Sequence, residues 1–239
     1  MRAVLDGLDW EAIGARLDAE GHATTGPLLT PAQCAELAAL YADPPEGRFR
    51  SRIVMARHGF GRGEYQYFAT PLPPLVQALR EGLYARLAPV ANRWQAALGQ
   101  ETRFPPAHGD FLARCHAAGQ LRPTPLLLRY GTGDYNALHQ DLYGENVFPL
   151  QVAFLLSTPG EDFAGGEFVL TEQRPRMQSR AMVVPLAQGE AVIFAVHHRP
   201  ARGTRGTYRV TLRHGVSALR PGRQKAERYT LGIILHDAA

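Results

Sequence analysis

The sequence predicts a mainly β domain, a sandwich or distorted barrel braced by N-terminal helices, and so an α+β or mainly β fold. Three observations carry this. From residue 125 onward, apolar residues recur with period two in short runs broken by Gly and Pro, as in Leu150, Val152, Phe154 and Leu156. Before that point they recur at helical spacing, as in Leu75, Leu79, Leu83 and Leu87. The chain is 239 residues long and 45% apolar, which suits a folded chain able to bury a good core. The organisation expected is a helical scaffold over residues 1–124, carrying an arginine- and aromatic-rich loop at 48–68, then a β core over 125–239. The two form one compact domain.

The helices come first. Trp10, Ile13 and Leu17 mark one over residues 9–20. Thr30, Pro31 and Gln33 spell a helix start: Thr30 caps, Pro31 fits the first turn and Gln33 completes a capping box. Leu37, Leu40 and Tyr41 give that helix its buried face. Pro73 opens a longer pattern, which Pro89 is expected to kink or break before Val90, Trp94 and Leu98. A short helix is expected at 110–116. Strands are expected at the start of 126–141 and then at 150–156, 167–170, 181–186, 190–196, 207–214 and 229–235.

Composition bounds the setting. The only cysteines, Cys34 and Cys115, are too few for a disulfide framework. Asp6 and Asp9 stand where a signal peptide needs an apolar run, and no apolar stretch approaches transmembrane length. A cytoplasmic protein with no membrane partner is the expectation. The pI is about 9.3, and of 26 basic residues only Lys225 is a lysine. The basic residues gather between 174 and 228, at Arg174, Arg176, Arg180, Arg199, Arg202, Arg205, Arg209, Arg213, Arg220, Arg223, Lys225 and Arg228, against Glu190 and Glu227 alone. That asymmetry points to an anionic partner or to a solvated arginine-rich face. Residues 48–68, RFRSRIVMARHGFGRGEYQYF, interleave arginines with aromatics around Gly59, Gly61 and Gly63. They predict a hairpin or mobile loop. Such a composition binds phosphates and stacks bases, with Arg57, Phe60, Arg62, Tyr65 and Tyr67 as the candidate contacts; a strand pair feeding aromatics to the core is the alternative.

The chemistry centres on residues 126–141, LLLRYGTGDYNALHQD, an apolar strand, a Gly-rich turn and then His139-Gln140-Asp141. In an extended segment His139 and Asp141 point the same way, about 7 Å apart, so an imidazole and a carboxylate can converge on one metal ion. A second, distant His completes a facial triad of two His and one carboxylate, with open positions that suit Fe(II), a bidentate oxo-acid and O2. His214 is the best candidate, because it shares strand parity with Tyr208, Val210 and Leu212 and so faces inward. His197 and His198, beside Arg199-Pro200 in an expected loop, compete with it. Downstream, Arg228 and Thr230 share one strand face. An inward Arg needs an anion, and its planar fork matches a carboxylate. Thr230 can add a hydroxyl and Tyr130 a phenol.

In order, Tyr130, His139-x-Asp141, GEAVIF, His214 and Arg228-x-Thr230 resemble the Fe(II)- and 2-oxoglutarate-dependent oxygenase superfamily over about residues 125–236. The resemblance implies a double-stranded β-helix (jelly roll) as the catalytic core, iron at His139, Asp141 and His214, and the distal carboxylate of 2-oxoglutarate at Arg228, Thr230 and Tyr130. It also implies O2 as co-substrate. The phrases RHGFGRGEYQYF, LHQDLYGE, EDFAGGEFVLTEQRPR and RGTYRVTLRHGVS resemble a prokaryotic family proposed to act on nucleic acid, akin to AlkB-type repair enzymes. That implies oxidative demethylation of alkylated bases in single-stranded or locally opened DNA or RNA. The same core in prolyl-hydroxylase-like relatives implies protein side chains or a small molecule as alternative substrates. A non-enzymatic metal-binding barrel, acting as a sensor, is a third reading. One departure stands out. Arg228 follows His214 by fourteen residues, against about ten in the superfamily, so GRQKAER holds an inserted turn and Arg223 becomes an alternative carboxylate ligand.

Overall fold

The protein is described by a computed structural model covering residues 1–204 and 206–239. Arg205, one arginine of the basic segment, lies outside the described residues. The N-terminal third runs α1 (Arg2–Asp6), α2 (Trp10–Glu20), β1 (His22–Pro27), α3 (Pro31–Ala42) and β2 (Phe49–Val54). A single 3-10 turn (Met55–Arg57), β3 (Gly61–Arg62) and β4 (Glu64–Phe68) follow, then α4 (Pro74–Ala97) and α5 (His108–Ala117). The capping box holds as expected: Gln33 N–H donates to Thr30 Oγ1 at 3.2 Å and Thr30 N–H to Gln33 Oε1 at 3.0 Å.

The β region comprises β5 (Leu126–Tyr130), β6 (Tyr135–His139), β7 (Leu150–Leu155), β8 (Phe163–Gly165), β9 (Phe168–Gln173) and β10 (Arg180–Val184). It continues with β11 (Glu190–Ala195), β12 (His198–Gly203), β13 (Gly206–Val216), β14 (Leu219–Pro221) and β15 (Arg228–Ile233). Among the described residues two large antiparallel sheets and a two-stranded sheet, β14-β8, result. The major sheet has the order β1-β11-β7-β15-β5-β4-β2. The minor sheet has the order β10-β9-β13-β6-β3, with β12 added on β13. This is the jelly-roll core that the sequence led one to expect. The N-terminal region is less purely helical than expected, since β1, β2 and β4 extend the major sheet and β3 pairs with β6. His197 and His198 are not both in a loop: His198 opens β12 and stands opposite Thr211 of β13.

Alternation along the major sheet separates two environments. Leu150, Val152, Phe154, Ile193, Leu231 and Ile233 point outward and join Leu79, Leu83, Leu87 and Trp94 of α4 in one core. The opposite face points into the barrel. The helix α4 corrects an expectation, because it runs unbroken through Pro89. An interior proline costs about 3 kcal/mol. Leu79, Leu83 and Leu87 before it and Val90, Ala91 and Trp94 after it are all buried in the same core. Each large apolar side chain gains roughly 1.5–3 kcal/mol from that burial, so keeping both halves in line outweighs the lost hydrogen bond. The indole of Trp94 also donates to Asp18 Oδ1 at 2.6 Å, tying the second half to α2.

Below this core two buried histidines stay neutral. Burial, followed by the nearby Arg80 charge, pulls His108 and His236 down to about 4. His108 Nε2–H donates to Leu235 O at 2.8 Å, and His236 Nδ1 accepts from Phe148 N–H at 3.2 Å. Between pH 6.5 and about 4 the unfolded chain takes up protons that the folded chain refuses, so stability rises with pH across that window. Urea unfolding at pH 5 should show a loss of about 1–2 kcal/mol per histidine relative to pH 7, reduced in a His108→Gln variant. An unchanged midpoint would contradict these buried neutral forms.

Candidate active site

One cavity of about 280 Å³ lies between the two sheets, near the lower end of ligand pockets at roughly 300–1,000 Å³. His139 ends β6, Asp141 follows it, and His214 comes from β13, where it stands directly opposite His139. One ligand atom from each of the three lies within 4.8 Å of the others. Asp141 bridges them, with Oδ1 3.5 Å from His139 Nε2 and Oδ2 3.4 Å from His214 Nε2. His139 Nδ1–H donates to Ala137 O at 2.8 Å. This fixes the tautomer and leaves the Nε2 lone pair facing the other two groups. Burial, then the neighbouring His214, lowers the His139 pKa and keeps its ring neutral. Burial alone would raise Asp141. The hydrogen bond to His214, the two imidazoles and the Tyr143 hydroxyl at 2.8 Å outweigh it and hold Asp141 well below the usual carboxylate range. Two imidazole nitrogens and an ionised carboxylate are a donor set for a divalent transition metal.

The expected competitors lie elsewhere. The His197 and His198 rings stack on each other at 3.4 Å, and neither lines the cavity. Arg223 is likewise displaced: it is exposed and pairs with Glu161 at 3.2 Å. Between His214 and Arg228 the chain forms β14, which pairs with β8, and residues 222–227 then turn against the 160–162 segment, with Arg223 N–H donating to Gly160 O at 2.9 Å and Glu227 N–H to Asp162 O at 3.1 Å. Arg228 keeps its place in β15.

Arg228, Thr230 and Tyr130 do meet in the cavity. Arg228 stands opposite Tyr130 across β15 and β5. It is 2% exposed. Its Nη1 donates to Thr230 Oγ1 at 2.6 Å, and its guanidinium carbon lies 5.6 Å from the Tyr130 ring centre and 5.8 Å from that of Phe163. Its Nε has no partner, and no carboxylate pairs with it among the described residues. Burial lowers its pKa, and an unpaired buried cation is costly. The cavity is therefore built to receive an anion at this end.

The aromatic loop divides. Phe60, Tyr65 and Tyr67 line the cavity, whereas Arg57 and Arg62 are exposed and do not. Gly61 has φ +125°, and a Cβ there would lie 2.4 Å from Tyr135 O. Glycine thus lets the loop lie on β6, where Ala137 N–H donates to Phe60 O at 2.9 Å. The Arg50 guanidinium caps the outer face of Tyr67 at 4.4 Å. Phe60, Tyr135, Leu138 and Leu142 are exposed apolar side chains of the β3–β6 edge and its continuation. The basic segment is less free than its charge count implied. Glu172, outside that segment, is buried and takes Arg199 at 2.5 Å, Arg174 at 2.7 Å and Arg180 at 3.7 Å. Arg199 is itself buried, so it cannot contact phosphate. Arg176, Arg202, Arg209, Arg213 and Arg220 are exposed without an ion pair among the described residues.

The site includes residues that the sequence reading passed over. Tyr143, Gln151, Phe168 and Phe194 all line the cavity. Tyr143 has the same parity as Asp141, and Gln151 is the one polar residue of LQVAFL; both signals were present. Phe194 packs 4.6 Å from the His214 ring, an aromatic wall with nothing in the sequence to mark it.

The sequence model of one family, described as an oxygenase catalysing oxidative methylation of damaged DNA, matches residues 63–238. The chain belongs to that oxygenase family. The oxygenase is 52% identical over 194 residues to the uncharacterized protein Rv2227 of Mycobacterium tuberculosis, covering 81% of this chain and 79% of the relative. Its fold is that of the 2-oxoglutarate–Fe(II) oxygenases. A member of that group from Burkholderia pseudomallei aligns with TM-score 0.54 at 16% identity, covering 96% of this chain and 92% of the other. A prolyl-4-hydroxylase of Pseudomonas putida aligns with TM-score 0.52 at 16% identity, covering 93% and 96%. No helix is long and apolar enough to cross a membrane among the described residues.

Replacing His139, Asp141 or His214 by Ala should weaken Mn(II) binding by at least about 100-fold, read by titration, with the far-ultraviolet spectrum unchanged. His197→Ala and His198→Ala should bind Mn(II) like the parent protein. The reverse pattern would move the metal centre to the stacked pair.

Proposed function

We propose that the oxygenase is an Fe(II)- and 2-oxoglutarate-dependent dioxygenase that oxidatively demethylates alkylated nucleic-acid bases. The observation that carries the chemistry is the buried, carboxylate-free Arg228 in the same cavity as His139, Asp141 and His214. His139 Nε2, an Asp141 oxygen and His214 Nε2 would hold Fe(II), a donor set suited to a metal that also takes an oxo-acid and O2. Arg228 takes the distal carboxylate of 2-oxoglutarate, with Thr230 and Tyr130 adding hydroxyl contacts. When these groups are bound, oxidative decarboxylation of 2-oxoglutarate to succinate and CO2 puts the other atom of O2 into a substrate C–H bond.

The chain's own residues do the rest. Tyr143 donates to Asp141, and burial with the Asp141 charge pushes its pKa up, so the phenol keeps its proton. Phe168, Phe194 and Tyr65 wall the cavity and exclude water, which limits side reactions. Oxygen insertion into an N–CH3 group gives N–CH2OH, which loses formaldehyde and restores N–H; for that reason we read the family's reaction as removal of the methyl group.

The nucleic-acid substrate is supported by the family's description and by the cavity mouth. A base cannot reach a site inside a barrel without leaving its stack. Tyr65, Tyr67 and Phe60 offer rings to an extruded base, at about 1–3 kcal/mol per stack. Arg57, Arg62, Arg209 and Arg213 are exposed for phosphate contact, so affinity should fall steeply with salt.

The test measures anisotropy of a labelled single-stranded oligonucleotide across a salt series, together with formaldehyde release from methylated oligonucleotides. Salt-sensitive binding and formaldehyde are expected. No binding at low salt and no formaldehyde from any methylated base would leave hydroxylation of a protein side chain or small molecule as the activity, read by succinate release. Arg228→Ala should raise the 2-oxoglutarate requirement by roughly 30-fold or more, matching about 2–5 kcal/mol for a lost buried charge pair, while Arg223→Ala should not. The opposite ranking would assign the carboxylate to Arg223.

A further inference from the structure

Gln151 is a buried side chain that none of this chemistry uses. Its neighbours Leu150, Val152 and Phe154 belong to the core beneath the helices. Gln151 therefore takes the opposite face of β7 with Ala153 and Leu155 and lines the cavity. It is 3% exposed, and its Nε2 has no hydrogen-bond partner among the described residues. A buried donor without an acceptor costs about 1–3 kcal/mol. An apolar side chain would suit the empty cavity wall better, so the amide points to a ligand that supplies the acceptor.

Strand register identifies which ligand. Leu155, four residues along β7, stands opposite Thr230, whose hydroxyl accepts from Arg228. Gln151 is therefore about 13 Å along the strand from the anion end. Its own cross-strand partner is Phe194, whose ring lies 4.6 Å from that of His214. Tyr67 stands opposite Leu126, Leu126 opposite Gly232, and Gly232 opposite Ala153, one row from Gln151 on the same face. Gln151 thus belongs to the half of the cavity away from Arg228, which is the half left for the second substrate.

We propose that Gln151 is a specificity-determining residue whose Nε2 donates to an acceptor, a carbonyl oxygen or ring nitrogen, on the edge of the base entering the cavity. The inference rests on the nucleic-acid reading above and names what is recognised in that substrate. A methyl group gives a pocket little to discriminate by, whereas a site that must satisfy a buried donor strongly rejects a base lacking the acceptor.

The experiment follows formaldehyde release from single-stranded oligonucleotides, each with one kind of methylated base, by the parent enzyme and by Gln151→Leu and Gln151→Met. In both variants KM for the preferred oligonucleotide should rise about 10-fold or more, with a smaller change in kcat and a flattened preference among bases. The 2-oxoglutarate requirement should move less than about 2-fold, and Tm should hold or rise because an unsatisfied buried amide is gone. Parent-like KM and base preference, or a lowered Tm without a change of preference, would overturn the proposal. So would a raised 2-oxoglutarate requirement, which would place Gln151 on the co-substrate. Should the parent enzyme release no formaldehyde from any oligonucleotide, the nucleic-acid reading fails and this inference falls with it; an active parent with unaffected variants fails the inference alone.

Discussion

Arg228 holds a full positive charge inside the barrel, between Tyr130 and Phe163, with a neutral hydroxyl as its nearest polar partner. Desolvating a charge without a counter-ion costs several kcal/mol, and the fold carries that cost. The two aromatic faces recover part of it by cation–π attraction, about 0.5–2 kcal/mol each. The charge of nearby Glu167 offsets a further part, and an anion entering the cavity would pair the guanidinium directly. Through this one side chain, stability and ligand binding are coupled: a carboxylate that binds the folded cavity stabilises the chain by an amount that grows with the logarithm of its concentration relative to Kd.

Sheet register converts that constraint into a layout. β15 is flanked by β5 and β7, so Tyr130, Leu128 and Leu155 stand around Arg228 and Thr230 at one end of the cavity. β13 lies in the other sheet and presents His214 against His139 of β6. The anion end and the His–Asp–His cluster therefore face each other across the barrel, each fixed by antiparallel ladders and not by loops. A constellation mounted on paired strands keeps its spacing better than one mounted on loops. Asp141, just beyond the end of β6, is the exception, and it is held by His139, His214 and Tyr143.

Much of this was legible in the sequence because it follows from parity. His139 and Asp141, Tyr208 through His214, and Arg228 with Thr230 are period-two patterns, and strands keep parity whatever their partners. The capping box at Thr30 is equally local. What was not legible depends on tertiary contacts. Pro89 ends a helix in isolation, but two buried apolar faces hold α4 straight through it. β1 has a sequence, HATTGP, with little strand character, and it forms because β11 offers it an edge. The basic run looked unbalanced because its buried counter-ion, Glu172, sits just before it in sequence. Arg228 was preferred, but spacing alone left Arg223 as an alternative, since only the contacts of residues 222–227 with Gly160, Glu161 and Asp162 show where the extra residues go.

The binding of one oxo-acid by both ends of the cavity can be measured directly. We would titrate 2-oxoglutarate anaerobically into the Fe(II)-loaded protein and follow the visible metal-to-ligand charge-transfer absorption that a chelating keto acid produces. We expect the band to saturate at one equivalent per chain in the parent protein, to need far more 2-oxoglutarate with Arg228→Ala, and to be absent with succinate, which lacks the keto group. No band in the parent protein, or a band that saturates identically without the Arg228 guanidinium, would contradict the joint assignment of His139, Asp141, His214 and Arg228.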